Sequence, residues 1–101
     1  MFDLASFWNP NVERCGYITK SLEVVELNNE SLNPDNHFQM VLPENTNNIS
    51  HLWHTHPKGS ANLSIDDYKA FVKLPQYKHL IISKDEIREY YVINGVVYQT
   101  E

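Results

Sequence analysis

The sequence predicts an α+β domain built on a mixed β-sheet, and three observations carry that expectation. Short β-branched and apolar runs recur between turn signals from Cys15 to Thr100. Asn94-Gly95 separates two of them as a tight hairpin turn. One strong helix start, Ser64-Ile65-Asp66-Asp67, has the form of a capping box.

In chain order, residues 2–8 read as a short amphipathic helix stopped near Asn9-Pro10-Asn11. Cys15 to Thr19 and Leu22 to Leu27 are apolar enough to form two strands of a hairpin. Asn28 to Asn36, with Pro34 inside it, is a polar loop. His37 to Val41 reads as a third strand and Pro43 to Asn48 as another loop. Ile49 to His56 is the next strand. After Ser64, Tyr68, Phe71 and Val72 recur at helical spacing, and that helix ends before Leu74-Pro75. His79 to Ser83 has the character of a buried strand, and Glu89 to Ile93 and Val96 to Thr100 flank the Asn-Gly turn. The expected total is six or seven strands, one helix after Ser64 and a second, short one at the N-terminus.

With 101 residues and 42% hydrophobic composition, residues 1–101 make a single domain. A net charge of -5 and eight scattered basic residues argue against a nucleic-acid partner, which needs clustered cations to displace counterions. Cys15 is the one cysteine, so no internal disulfide can form, which fits a reducing compartment. Met1 to Trp8 lacks the basic start and apolar core of a signal peptide. No apolar run approaches the ~20 residues that a bilayer demands. A cytoplasmic protein without a membrane partner is expected.

Chemistry concentrates at His54-Thr55-His56-Pro57. Histidines at i and i+2 place both imidazoles on one face of an extended segment, and Pro57, lacking an N–H, ends the strand there. A carboxylate follows in the first turn of the helix, either Asp67 or its neighbour Asp66. Two imidazoles and a carboxylate are the three protein ligands of a catalytic zinc site whose fourth position is left to water. The chain thus reads as a metal-dependent hydrolase. Plainer explanations exist for the parts. A carboxylate at the third helical position stabilises a helix start without metal, and Ser64 is accounted for as an N-cap. His51 falls on the opposite strand face, and His37 and His79 have no partnered spacing. The general base is not supplied by an HExxH motif, and spacing alone does not choose among eight glutamates.

His54-Thr55-His56-Pro57, six residues, Ser64, two more and Asp67 resemble the signature of the JAMM (MPN+) metallopeptidase family. Pro10-Asn11-Val12-Glu13-Arg14-Cys15-Gly16 is similar to that family's Pro-x-x-Glu-x-Cys-Gly opening of the first strand. Asn33-Pro34 with His37-Phe38 resembles the stretch between these motifs in bacterial and phage members. The resemblance implies the JAMM/MPN fold, cytidine-deaminase-like, with a curved mixed sheet flanked by helices. It implies zinc on His54, His56 and Asp67, the last chosen over Asp66 by its spacing from Ser64. Glu13 is then the general base acting on the zinc-bound water, Ser64 the donor to the oxyanion, and Cys15 a buried structural residue.

The activity implied is hydrolysis of a peptide or isopeptide bond in a ubiquitin-like, sulfur-carrier, tail or cell-wall peptide. Among family members the chain is most similar to the compact prokaryotic and phage type, such as the peptidase domain of tail assembly protein K. That adds phage tail assembly, and a virion-associated location, to the expectations. Insertions with which eukaryotic deubiquitinases grip ubiquitin are absent, so linkage-specific deubiquitination is not expected. The alternatives are a non-catalytic MPN-type scaffold or interaction module, and a zinc hydrolase of a non-peptide amide.

Overall fold

The computed structural model describes residues 4–35 and 37–100. Residues 2 and 3 of the expected N-terminal helix, and Asn36 at the end of the expected polar loop, lie outside them. Six runs become strands: β1 (Cys15–Thr19), β2 (Val24–Leu27), β3 (Ile49–Thr55), β4 (Lys78–Ile82), β5 (Ile87–Ile93) and β6 (Val96–Gln99). They form one sheet in the order β2-β1-β3-β4-β5-β6. Every neighbouring pair is antiparallel except β3–β4, which is parallel and so needs a crossover. The helix α1 (Ile65–Lys73) supplies it. Ser64 caps α1 and Asp67 closes the box from its third position, so the helix begins where the sequence placed it. Asn94 and Gly95 both take positive φ, 51° and 77°, as the two-residue hairpin between β5 and β6 requires.

Alternation sorts the core onto two faces. Ile18, Trp53, Leu80 and Ile82 meet on one face, covered by Leu4, Phe7 and Trp8. On the other, Phe71 of α1 packs over Ile81, Tyr90 and Val92, and Ile49, Leu52 and Tyr77 form a smaller cluster beside them. Gly16 lies opposite Trp53 in the β1–β3 register. A Cβ added at Gly16 would stand 2.0 Å from the Val25 carbonyl oxygen and 2.7 Å from the Trp53 ring. Gly16→Ala is expected to cost about 3 kcal/mol of stability by this overpacking, read from urea unfolding. An unchanged midpoint would contradict the close approach.

Two expectations are corrected. The sheet is mixed, but the helix-flanked JAMM/MPN, cytidine-deaminase-like fold is not what forms: α1, nine residues long, is the one α-helix among the described residues. Part of this difference lies at the N-terminus: of the helix expected over 2–8, the described residues Leu4 to Trp8 form a three-residue 3-10 turn, Ala5–Phe7, and no α-helix. Trp8 is already extended, which lets Phe7 and Trp8 lie across the sheet and do the covering that a flanking helix would do. The second correction is the strand expected over His37 to Val41, which does not join the sheet. Its alternation is real, since Met40 and Leu42 pack on the Ile49–Leu52–Tyr77 cluster. But the segment lies over the sheet's face, and its backbone bonds go to Asn29 and Glu30 instead of a sheet strand. It forms a strap. Among the described residues, no helix is long and apolar enough to cross a membrane.

Candidate metal centre

The end of β3 and the start of α1 meet because the β3–α1–β4 crossover brings the helix N-terminus back over the strand's C-terminal end. His54 lies on β3, and His56 one residue past its end, still tied to β4 through its N–H to the Ile82 carbonyl at 2.8 Å. Cys15 pairs with His54 in the β1–β3 register. The ladder continues one step further: the Thr55 N–H donates to the Arg14 carbonyl at 2.9 Å, and the Arg14 N–H to Thr55 Oγ1 at 2.8 Å. That continuation carries Glu13 to the level of His56. Glu13 is held there by its own N–H to the Pro34 carbonyl at 2.6 Å and by the Asn29 amide, which donates to the Glu13 carbonyl at 2.9 Å.

The side chains converge. His54 Nε2 and His56 Nε2 are 3.2 Å apart. Asp67 Oδ1 is 3.0 Å from His54 Nε2, and Asp67 Oδ2 is 3.0 Å from His56 Nε2. Ligand atoms of a tetrahedral ion bonded at ~2.0–2.1 Å stand ~3.3–3.4 Å apart, close to the 3.2 Å between the two ring nitrogens. Glu13 joins from the β1 side: one carboxylate oxygen and the two imidazoles offer ligand atoms within 4.8 Å of one another, a group that could itself hold a metal ion. Asp67 makes the shorter approach to both rings. Asp66 is exposed and faces His37 instead, at 3.6 Å. Ser64 Oγ accepts the Asp67 N–H at 3.0 Å, while the Ser64 N–H donates to Asp67 Oδ2 at 3.3 Å. The cap therefore uses the hydroxyl oxygen as acceptor and leaves its hydrogen available. His51 turns to the other face, bonding Ser50 and Glu89. His79 is buried under Phe71 and bonds the Leu74 carbonyl.

The donor chemistry fits a cation. His56 Nδ1 lies 2.9 Å from the Ser60 carbonyl, which can only accept, so that nitrogen carries the ring proton. A neutral His56 then presents a lone pair at Nε2 toward a carboxylate oxygen and a second imidazole. Acceptors gathered this closely need a positive charge between them, a proton or a metal ion. A ligating histidine is commonly oriented by this kind of bond from its other nitrogen to a carbonyl.

Electrostatics follow the same geometry. Burial of Asp67 opposes its ionisation, but hydrogen bonds from His54 and His56 outweigh it and hold the carboxyl well below the usual range. Burial raises the pKa of Glu13, and the facing imidazoles only partly offset it. Burial would lower the pKa of His56, yet its bonds to Asp67 and Ser60 raise it. Burial pushes the Cys15 thiol up to about 11, so it is inert as a nucleophile and sits in the β1–β3 core.

Three contributors went unseen in the sequence. Phe38 of the strap stacks on His54 with ring centroids 4.3 Å apart. The Trp8 indole N–H donates to the His56 carbonyl at 2.9 Å. Asn29 joins Glu13 to the strap by bonding the Glu13 and His37 carbonyls and the Gln39 N–H. No spacing rule connects these residues, which meet only through tertiary structure. The site opens into a cavity of about 950 Å³ between the strap and α1, lined by Glu13, His54, His56, Ser64 and Asp67 at one end. No protein-family model matches the chain, and no curated protein matches it in sequence.

Proposed function

We propose that the chain is a zinc-dependent peptidase or isopeptidase, with the chemistry of the JAMM peptidases carried on an almost all-sheet domain. The observation that supports this reading is the convergence of His54, His56 and Asp67 within 3.2 Å, with the buried Glu13 carboxylate beside them. His54, His56 and Asp67 would hold the ion. Zinc supplies Lewis acidity toward the scissile carbonyl and lowers the pKa of water. Glu13 takes the proton from the attacking water and delivers it to the departing amine, so amide and water become carboxylate and amine. Burial shifts the Glu13 pKa upward, which makes the carboxylate a better proton acceptor than an exposed glutamate. The Ser64 hydroxyl donates to the carbonyl oxygen as charge builds there. Phe38, stacked on His54, screens that ring from solvent. The single buried thiol fits a cytoplasmic setting. Processing of a tail, cell-wall or carrier peptide is the biological role this chemistry suits.

The test is cleavage of a panel of peptides and isopeptide-linked substrates by zinc-loaded protein, read by product mass, and its loss on chelation. Cleavage that survives full zinc removal would overturn the proposal.

Ser64 separates its two roles cleanly. Ser64→Ala loses both the cap and the donor, and is expected to cost ~1 kcal/mol of stability and ~10²–10³ in rate. Ser64→Asp keeps a capping acceptor but has no hydroxyl hydrogen, so it should keep most of the stability and still lose the rate. Full activity in Ser64→Asp would assign Ser64 to the helix cap alone.

A further inference from the structure

Beyond the ligand cluster the cavity continues along α1, and its far half has a different character. Its floor is Leu52, its walls are Leu42 and Met40 of the strap and Leu74 after α1. Lys69 and Lys73, one helical turn apart on α1, line the same cavity from its rim. Both are exposed, and among the described residues neither has a carboxylate within ion-pair distance. Among those residues the other four lysines are unpaired as well, so what distinguishes Lys69 and Lys73 is their place on the cavity rim one turn apart, where only Lys58 joins them among the lysines. Two exposed acidic side chains line the cavity as well: Asp66, one turn before Lys69 on α1, faces His37, and Asp35 lies on the chain leading into the strap. Asp67 to Lys73 spans six residues, or about 9 Å along a helix axis. An extended peptide covers that distance in about three residues.

We infer that this half of the cavity is a substrate subsite for an apolar residue followed by a carboxylate, about three residues from the scissile bond. This specificity rests on the peptidase reading above. The apolar floor would take the side chain, and Lys69 and Lys73 would receive the negative charge. Lys73 also complements the helix C-terminus, but Lys69 sits too far from that end to be explained by the helix dipole. The carboxylate can come from an acidic side chain or from a chain terminus.

The test uses the full chain carrying Glu13→Gln, titrated with fluorescent octapeptide amides of the pattern Xaa-Xaa-Leu-Gly-Gly-Leu-Xaa-Xaa. The symmetric pattern covers both chain directions, with Xaa as Glu or Lys. A Gln version with a free C-terminal carboxylate separates a terminal charge from a side-chain charge. The Glu peptide is expected to bind ~10-fold more tightly than the Lys peptide at low salt. The order should reverse in a Lys69→Glu, Lys73→Glu double variant, and replacing the leucines by glycine should weaken binding. Equal affinities in the parent protein, or an unchanged order in the double variant, would overturn the inference. Each titration is repeated without zinc. Zinc content is measured on the same samples: failure to retain zinc would refute the metal reading, while a charge preference in that same protein would leave the subsite standing.

Discussion

Glu13→Gln is expected to abolish hydrolysis, by ~10²–10⁴-fold, while zinc remains bound at about one ion per chain. The substitution keeps the size and the backbone bonds that hold this position to Pro34 and Asn29, and removes only the capacity to take a proton. Glu13 is 8% exposed, and among the described residues it is the carboxylate besides Asp67 that is buried beside both imidazoles. The metal measurement is as informative as the rate. If Glu13 were the third ligand in place of Asp67, the variant would lose zinc together with activity. Stability gives a further check in metal-free protein. Burial raises the Glu13 pKa, so between the unfolded and the raised folded value the folded state binds more protons than the unfolded one. The Glu13 contribution to stability is therefore present at acid pH and lost as pH rises through the raised value. Glu13→Gln should remove that loss, and equal pH profiles in chemical denaturation would contradict the shift.

His54→Ala should take zinc from about one ion per chain to none after dialysis, and it should also destabilise the metal-free fold. His54 is 2% exposed, and Asp67, 5% exposed, loses one of its two imidazole partners when the ring is removed. Breaking a buried pair this way costs about 3 kcal/mol, because the remaining charge stays buried. Asp67→Asn is the companion measurement. An asparagine oxygen can still accept the Ser64 N–H, so α1 keeps its cap while the anionic ligand is gone. Zinc loss in a variant whose metal-free form still unfolds cooperatively, at a stability lowered by the lost imidazole–carboxylate pairs, marks Asp67 as a ligand. Retained zinc would reduce it to a capping residue.

The strands were legible because their turns were. Asn94-Gly95 fixed the register of β5 and β6, and Ser64 fixed the start of α1, both through chemistry confined to four residues. The strap was misread because alternation reports which side chains turn inward, not which backbone the segment bonds. Phe38 and Met40 turn inward as a strand's residues would, over a face already occupied by β3. The N-terminal helix failed for a related reason: a three-residue turn is enough to lay Phe7 and Trp8 on Ile18 and Trp53. In the site, the pairing of His54 with His56 was local and could be read from alternation alone. Asp67 and Asp66 were not separable by composition, and the structure distinguishes them by direction, one inward and one toward His37. Glu13 lies 41 residues before His54, and only the β1–β3 register brings them together, so the family resemblance and not the spacing pointed to it.

Zinc-edge X-ray absorption on reconstituted, dialysed protein tests the central claim most directly. One zinc per chain, with two imidazoles and oxygen donors at ~2.0–2.1 Å, is the predicted result. A chain that leaves dialysis free of zinc, or a coordination shell without imidazole scattering, would contradict it.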